Sequence, residues 1–232
     1  MTVERFSSLV DELARESYQG VSLTDLLEPE AGDAEQKRIA LTFDDGYRSV
    51  LDQALPILQR AGWGATLFVV TDFCGRGNQW PSQGAGTPAA DLLNWEDIGV
   101  LAEAGWEIAP HTRSHHPLVE LEPAEAEEEI LSSQESVRAR TGQPATVFAY
   151  PYGAVTESLK RFVSRHFRAA VGTRLGVAHS NSDLYDLERI DSYYLQRLRP
   201  RPDAWSFRTC LHARHHLRNL RRVGRSDWRW SV

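Results

Sequence analysis

Short, mostly apolar runs recur along the chain and predict strands that are buried on both faces. Four such runs and two shorter candidates are, in chain order, RIALTF (38–43), ATLFVV (65–70), WEIAP (106–110), TVFAY (146–150), AAVGT (169–173) and LERID (187–191). Strands of this kind need other elements to cover both of their faces.

Segments with apolar residues at helical spacing separate these runs. The predicted helices cover residues 4–16, 47–60, 95–104, 123–141 and about 155–165. The helix that begins at Pro123 carries glutamates near its start and ends with Arg138 and Arg140, an order that the helix dipole favours. Its acidic run (125–129) is therefore interpreted as a solvated helix face and not as a functional site.

Strands that alternate with helices predict an α/β fold with a mainly parallel sheet. We expect a single domain over residues 1–232 with its core at about 38–191. An N-terminal helix and lead-in (1–37) would precede the core, and a basic helical extension (192–232) would follow it. A long polar loop from Thr71 to Leu93 is expected to be functional, because compact domains rarely contain such loops otherwise.

The overall composition is that of a globular protein, with 41% hydrophobic and 25% charged residues and a net charge of −6. Ten arginines stand against two aspartates between residues 197 and 230. The chain has no nucleic-acid-binding motif and is acidic overall, so we expect a solvated helix there and no nucleic-acid partner.

The beginning of the chain contains no apolar run resembling a signal-peptide core, and no stretch reaches the roughly 18 apolar residues of a membrane span. We therefore expect a cytoplasmic protein with no membrane span. Cys74 and Cys210 have no C-x-x-C spacing and are expected to be reduced thiols outside the chemistry.

Polar side chains follow three predicted strands at the point where each strand ends. Asp44 and Asp45 follow the first strand, the segment 111–115 follows the third, and Tyr152 follows the fourth. Parallel α/β folds gather the carboxyl ends of their strands on one face, where their active sites are built. We therefore expect the three clusters to meet in one site.

Asp44 and Asp45 are adjacent carboxylates at a strand end, so their side chains point in different directions. One could bind a metal ion while the other accepts a proton. The alternative is a simple turn, since Asp-Gly is a common turn dipeptide and Gly46 follows. The pair alone does not decide between these interpretations.

The segment HTRSHHPL (111–118) contains three histidines, and His111 and His115 are four residues apart. That spacing brings two imidazoles to one cation on a helical turn or tight loop. Two imidazoles and one carboxylate, with positions left open for water, are typical of catalytic zinc or iron sites. Asp45 would supply the carboxylate, and Asp44 would be the general base for the activated water.

The motifs ALTFDDGY, HTRSH and FAYPYG, in this order, resemble those of polysaccharide deacetylases with a NodB-homology domain, which form carbohydrate esterase family four. The third motif resembles the subgroup with the FAYPYG wording, and the resemblance covers residues 5–190. It implies a distorted (β/α) barrel of about six or seven parallel strands. It also implies a single catalytic domain that removes N-acetyl, sometimes O-acetyl, groups from carbohydrate polymers or glycoconjugates; members are often exported.

The resemblance also implies roles for individual residues. Asp44 is the general base for a metal-bound water, and Asp45, His111 and His115 bind one divalent metal ion, expected to be zinc, with cobalt, nickel or iron as alternatives. Tyr152 lies in the motif whose backbone N–H contributes to the oxyanion hole. The family register puts His116 where members usually have proline, so His116 is not expected to be a ligand.

Three features depart from the family pattern. The third motif has Ala149 where many members have an arginine that orients the catalytic aspartate, and we hypothesise that Arg189 contacts Asp44 instead. The late histidine motif that supplies a general acid is not clear, and His179 and His212 are the nearest candidates. A strand that often precedes the TFDD strand in the subgroup is also not recognisable, which suggests a shortened start.

Other functions fit parts of the pattern. An amidase or esterase acting on a smaller non-sugar substrate could use the same residues. A catalytically weakened glycan-binding relative would fit the missing arginine and acid, but the complete Asp-Asp-His-His set argues against it. A phosphatase with Asp44 as nucleophile would need D-x-D instead of adjacent aspartates. The pattern does not indicate an oligomeric state.

Two tryptophans are candidates for contact with a sugar. Trp80, in the long polar loop, is expected to be exposed and near substrate. Trp95, at a helix start, is expected to pack in the core.

Overall fold

The computed structural model describes residues 1–29, 37–84, 86–179 and 181–192. Eight short strands, paired in parallel, form the centre of this part of the chain. The strands are β1 (Tyr18–Val21), β2 (Lys37–Ala40), β3 (Thr42–Phe43), β4 (Thr66–Val69), β5 (Glu107–Pro110), β6 (Val147–Ala149), β7 (Ala169–Leu175) and β8 (Leu187–Arg189). They are ordered β1-β2, β3-β4-β5 and β6-β7-β8. The predicted basic extension, with Cys210 and His212, lies outside the described residues.

Every strand that the sequence predicts is present, but one is divided. The run 38–43 is interrupted at Leu41, because β2 pairs with β1 while β3 pairs with β4. If β2 and β3 are counted as one interrupted strand, the described residues contain seven strands. The architecture is a distorted (β/α) barrel. Strand β1 was not predicted, because its sequence YQGV mixes polar and apolar residues without a continuous run.

Helices pack around these strands. They are α1 (Val3–Arg15), α2 (Leu23–Leu27), α3 (Leu55–Ala61), α4 (Trp95–Glu103), α5 (Pro123–Thr141) and α6 (Glu157–Val163). The predicted helix 47–60 contains a wider π-helical turn, Val50–Ala54, before α3, and the N–H of Leu55 bonds to the carbonyl of Val50. Pro56 has no backbone N–H, so the regular series of α-helical hydrogen bonds is interrupted at this point.

The apolar faces predicted for the helices are the faces that are buried. Leu9, Val10 and Leu13 of α1 are buried in one core cluster with side chains of α3 and β4, and Ala126 and Ile130 of α5 are also buried. Burial of each large aliphatic side chain contributes about 1.5–3 kcal/mol, so these faces fix the helices on the barrel. No helix in the described ranges is long and apolar enough to cross a membrane.

Strand order determines which residues meet at the carboxyl edge of the barrel. β4 lies between β3, which leads into Asp44 and Asp45, and β5, which leads into His111. Arg189 at the end of β8 reaches Thr42 on β3, with an Nη1–Oγ1 distance of 3.1 Å. The three predicted clusters therefore do meet in one place.

Candidate metal centre and active site

Asp45, His111 and His115 bring one ligand atom each to a common point. The Nε2 atoms of the histidines are 3.2 Å apart, and they lie 3.4 Å (His111) and 3.3 Å (His115) from Oδ1 of Asp45. His111 is 2% exposed and His115 is 5% exposed. This is the donor set predicted from the sequence, and in the described part of the chain it is the one group found that could hold a metal ion.

The three donors fit a small divalent cation. Ligand atoms bound at about 2.0–2.1 Å around a tetrahedral ion lie about 3.3–3.4 Å apart, which matches the observed separations. Nδ1–H of His111 donates to the carbonyl of Ala149 at 2.8 Å, which leaves the lone pair of Nε2 for a metal. Nδ1 of His115 is buried and has no hydrogen-bond partner among the described residues, so this ring is held by packing and by its Nε2 contacts.

The backbone at the site adopts conformations that side chains other than glycine rarely take. The φ angles are 71° at Asp45, 66° at Thr112, 58° at His115 and 59° at Tyr152. Such conformations are costly, especially for the β-branched Thr112, and they cluster at functional sites. At Asp45 both sequence interpretations apply, because the residue belongs to a turn and also points into the donor set.

Asp44 is not part of the donor set and pairs with Arg189. Nη1 and Nη2 of Arg189 bind the two carboxylate oxygens of Asp44 at 2.8 Å each, and Nε donates to the carbonyl of Gly172 at 2.9 Å. The contact hypothesised from the sequence is therefore present. Burial alone would raise the pKa of Asp44, but the charge and hydrogen bonds of Arg189 outweigh it and lower the pKa.

The electrostatics of the donor set favour a bound cation. Burial would raise the pKa of Asp45, but hydrogen bonds with His111 and His115 hold that pKa far below its usual value. Burial would lower the pKa of His111, but Asp45 and Asp44 raise it overall, whereas burial lowers the pKa of His115. A cation on these side chains would displace the proton that the two carboxylates favour on His111.

Tyr152 lies beside the donor set and is fixed by the long loop. Its ring centroid is 4.6 Å from that of His115, and its hydroxyl donates to the carbonyl of Ser82 at 3.1 Å. Nε1–H of Trp80 donates to the same hydroxyl at 3.2 Å, and Ser82 Oγ donates to the carbonyl of His115 at 2.7 Å. The loop therefore ties the second histidine to the third sequence motif.

The predicted exposure of Trp80 is wrong. The residue is 3% exposed, and its ring lies 4.3 Å from that of His115 and packs edge-on against Phe73 at 5.9 Å. The polar sequence of the loop suggested exposure, but the indole is covered because it forms the wall behind His115. Trp80 therefore packs against His115 and offers no open face for a sugar.

The other candidates lie away from the donor set. His116 is half-buried and faces the carbonyl of Pro117 at 3.4 Å, so it is not one of the grouped ligands. His179 is exposed on the surface. Trp95 packs against the core as predicted, and burial raises the pKa of the Cys74 thiol to about 12, which leaves it unreactive.

Sequence reasoning missed three residues that contact the site. Ser82 gave no signal in its polar loop. Tyr47, the last residue of ALTFDDGY, has its hydroxyl beside Asp45, and burial raises the pKa of that hydroxyl. Glu129 is a correction, because it lies in the acidic run interpreted as solvated, yet it binds the turn between His111 and His115.

Comparison with known proteins gives a match to a family model. The family model "Polysaccharide deacetylase" matches residues 31–168, more than half of the 232 residues. The matched segment contains every residue of the donor set and also Asp44 and Tyr152.

Two relatives align with most of this chain but with only part of their own length. YxkH of Bacillus subtilis strain 168 is 28% identical over 156 residues, 67% of this chain and 51% of YxkH. The poly-β-1,6-N-acetyl-D-glucosamine N-deacetylase of Staphylococcus epidermidis strain ATCC 35984 is 22% identical over 167 residues, 68% of this chain and 55% of that enzyme. The chain thus spans about half the length of these relatives.

A solved structure has the same fold. The Streptococcus pyogenes deacetylase PplD, in complex with acetate, superposes with a TM-score of 0.70 at 22% identity, covering 81% of this chain and 80% of PplD. The family match includes strands β2 to β6. The chain belongs to the polysaccharide deacetylase family.

Proposed function

We propose that this protein is a metal-dependent deacetylase that hydrolyses N-acetyl groups on a carbohydrate polymer or glycoconjugate. The observation that carries the proposal is the meeting of Asp45, His111 and His115 at mutual distances of 3.2–3.4 Å, next to a second carboxylate held by an arginine. A turn that merely connected strands would not need two buried imidazoles and two carboxylates at one edge.

The three donors would hold one divalent cation, with zinc as the preferred ion and cobalt, nickel or iron as alternatives. Such a cation lowers the pKa of water and polarises a carbonyl oxygen when it is bound. Asp45 and the two histidines contribute a site with a net charge near +1 when a divalent ion is present. That charge favours an electron-rich carbonyl oxygen over a cationic group.

Asp44 is the proposed general base. Its carboxylate takes a proton as water adds to the acetyl carbon, and that proton then passes to the amide nitrogen as the C–N bond breaks, so that acetate and a free amine are released. Arg189 fixes both oxygens of Asp44 and keeps the carboxylate ionised. This contact supports an active enzyme and weakens the alternative of a lapsed glycan-binding relative, which relied partly on the missing third-motif arginine.

Tyr152 is the proposed source of an oxyanion donor. Negative charge develops on the acetyl oxygen when water adds, and a backbone N–H fixed in advance stabilises it. The hydroxyl of Tyr152 is engaged by Trp80 and Ser82, so the side chain serves to hold the turn Pro151–Gly153 in place. The donor in this proposal is the backbone N–H of Tyr152.

The proposed substrate is a polymer of N-acetylated amino sugars. The Staphylococcus epidermidis relative is named for N-deacetylation of poly-β-1,6-N-acetyl-D-glucosamine, which supports this class for the present chain.

The test is release of acetate and free amine from three substrates by the zinc-loaded protein. The substrates are N-acetyl-chito-oligosaccharides, β-1,6-linked N-acetylglucosamine oligomers and peptidoglycan fragments. We expect release from at least one of them, about 10²–10⁴-fold slower in Asp44→Asn and unchanged in the exposed control Asp52→Asn. No release from any substrate, or full activity of Asp44→Asn, would contradict the proposal.

A further inference from the structure

We propose that Glu129 is a positioning residue for the metal site, because its carboxylate holds the turn between the two histidine ligands. The proposal rests on the metal-dependent function proposed above. Glu129 belongs to helix α5 and lies outside the three sequence motifs. Its role would be to fix where His111 and His115 point, without touching metal or substrate.

The contacts of Glu129 satisfy three donors of one short turn. Oε2 accepts the backbone N–H groups of Arg113 and Ser114, each at 2.9 Å. Oε1 accepts the hydroxyl of Ser114 at 2.8 Å. A carboxylate that accepts two successive backbone N–H groups fixes the orientation of both peptide planes.

This turn cannot easily hold its own shape. Thr112 and His115 both have positive φ angles, 66° and 58°, which the chain adopts only under constraint. Inside the turn, one hydrogen bond joins His115 N–H to Thr112 Oγ1 at 3.1 Å. The amides of Arg113 and Ser114 face α5, and Glu129 is the acceptor that they meet there.

The opposite side of the turn is fixed by backbone groups of the long loop. The carbonyl of Thr112 accepts the N–H of Thr71 at 3.1 Å, and the carbonyl of Arg113 accepts the N–H of Asp72 at 3.0 Å. The turn is therefore held on its carbonyl side by Thr71 and Asp72 and on its amide side by Glu129. Removing Glu129 would release one of the two sides.

Helix α5 presents Glu129 rigidly, and its neighbours supply a matched control. Ala126, three residues before Glu129, and Ile130, the next residue, are 1% and 0% exposed. The helix therefore cannot shift without disturbing the core. Glu129 is half-buried, whereas Glu127 is exposed on the same helix. Changing Glu127 removes the same charge from α5 without touching the turn.

Substitutions at Glu129 separate hydrogen bonding from charge. Glu129→Gln loses the charge, but its amide oxygen can accept both N–H groups and its NH₂ can donate to Ser114 Oγ. Glu129→Asp keeps the charge, but it is one methylene too short to reach the turn from the same backbone. Glu129→Ala loses both properties.

The experiment is a zinc titration against a chelating indicator for the wild type, the three Glu129 variants and Glu127→Ala. We expect about tenfold weaker zinc binding in Glu129→Ala and Glu129→Asp, a lower kcat with little change in KM, and near wild-type affinity in Glu129→Gln and Glu127→Ala. If Glu129→Ala does not fold, the Asp and Gln variants decide.

Two results would overturn the positioning role. In one, Glu129→Ala and Glu129→Asp bind zinc as tightly as the wild type. In the other, Glu129→Gln binds zinc weakly while Glu129→Asp binds it normally, which would assign the effect to charge. A wild type that binds no zinc would instead contradict the proposed function, so the two failures are distinguishable.

Discussion

The guanidinium of Arg189 binds both carboxylate oxygens of Asp44 at 2.8 Å each, although the two residues are 145 positions apart in the chain. Arg189 is itself held by the carbonyl of Gly172 and the hydroxyl of Thr42. Ala149, at the third-motif position, is fully buried. The cation that pairs with Asp44 therefore comes from strand β8.

Arg189→Ala should lower kcat/KM by about 10²-fold, because Asp44 would lose the two hydrogen bonds that orient it. Arg189→Lys should recover only part of this loss, since an ammonium cannot bind both oxygens in the same plane. Steady-state kinetics on the best substrate measures both effects. A wild-type rate in Arg189→Ala would show that Arg189 does not orient Asp44 for catalysis.

The pH dependence should change in the same variant. Burial pushes the pKa of Asp44 upward and Arg189 is the main group that lowers it, so the pKa of Asp44 should rise in Arg189→Ala. The base works only when ionised, so the acidic limb of the kcat/KM profile should move to higher pH. The surface variant Arg48→Ala should leave the acidic limb at its wild-type pH. An acidic limb at the same pH in Arg189→Ala and in the wild type would show that Arg189 does not lower the pKa of the catalytic base.

His115 and His116 should differ sharply in their effect on metal binding. His115→Ala removes a ligand and should weaken zinc binding by on the order of 100-fold or more, whereas His116→Ala should change it by less than about threefold. Calorimetric titration of zinc into each variant measures the difference. A larger loss in His116→Ala would show that the ligand register is wrong.

Tyr152→Phe should lower the stability of the protein more than its catalytic rate. The change removes the hydroxyl that meets Trp80 and Ser82, at about 1–3 kcal/mol, but it keeps the backbone N–H of the oxyanion proposal. We expect a lower unfolding midpoint and activity within about tenfold of wild type, with Ser82→Ala as the comparison. A rate loss of the size expected for Asp44→Asn would assign the hydroxyl a chemical role.

The grouping of Asp45, His111 and His115 could be predicted because each position is determined locally. Asp45 and His111 follow buried strands, and His115 is one tight turn further on. Parallel pairing then brings the strand ends together without any knowledge of distant contacts. The same reasoning explains why the strand and helix positions of the barrel follow closely from the apolar runs.

The remaining features depend on contacts between distant segments. Trp80 is buried by side chains that the loop meets only after folding, so its polar neighbours in sequence were misleading. Nothing in the sequence of α5 distinguishes Glu129 from Glu127 or Glu128, because the difference lies in the turn that it faces. Arg189 was identified as a candidate only because the third motif of this chain lacks the arginine that the family resemblance led us to expect.

The most direct test of the account is the number of zinc ions bound per chain after metal removal and reconstitution, in wild type and His111→Ala. Elemental analysis of the dialysed proteins gives this number, and circular dichroism confirms that both are folded. We predict about one zinc ion per wild-type chain and a much lower number per chain in His111→Ala. A folded wild type without stoichiometric zinc, or equal zinc in both proteins, would contradict it.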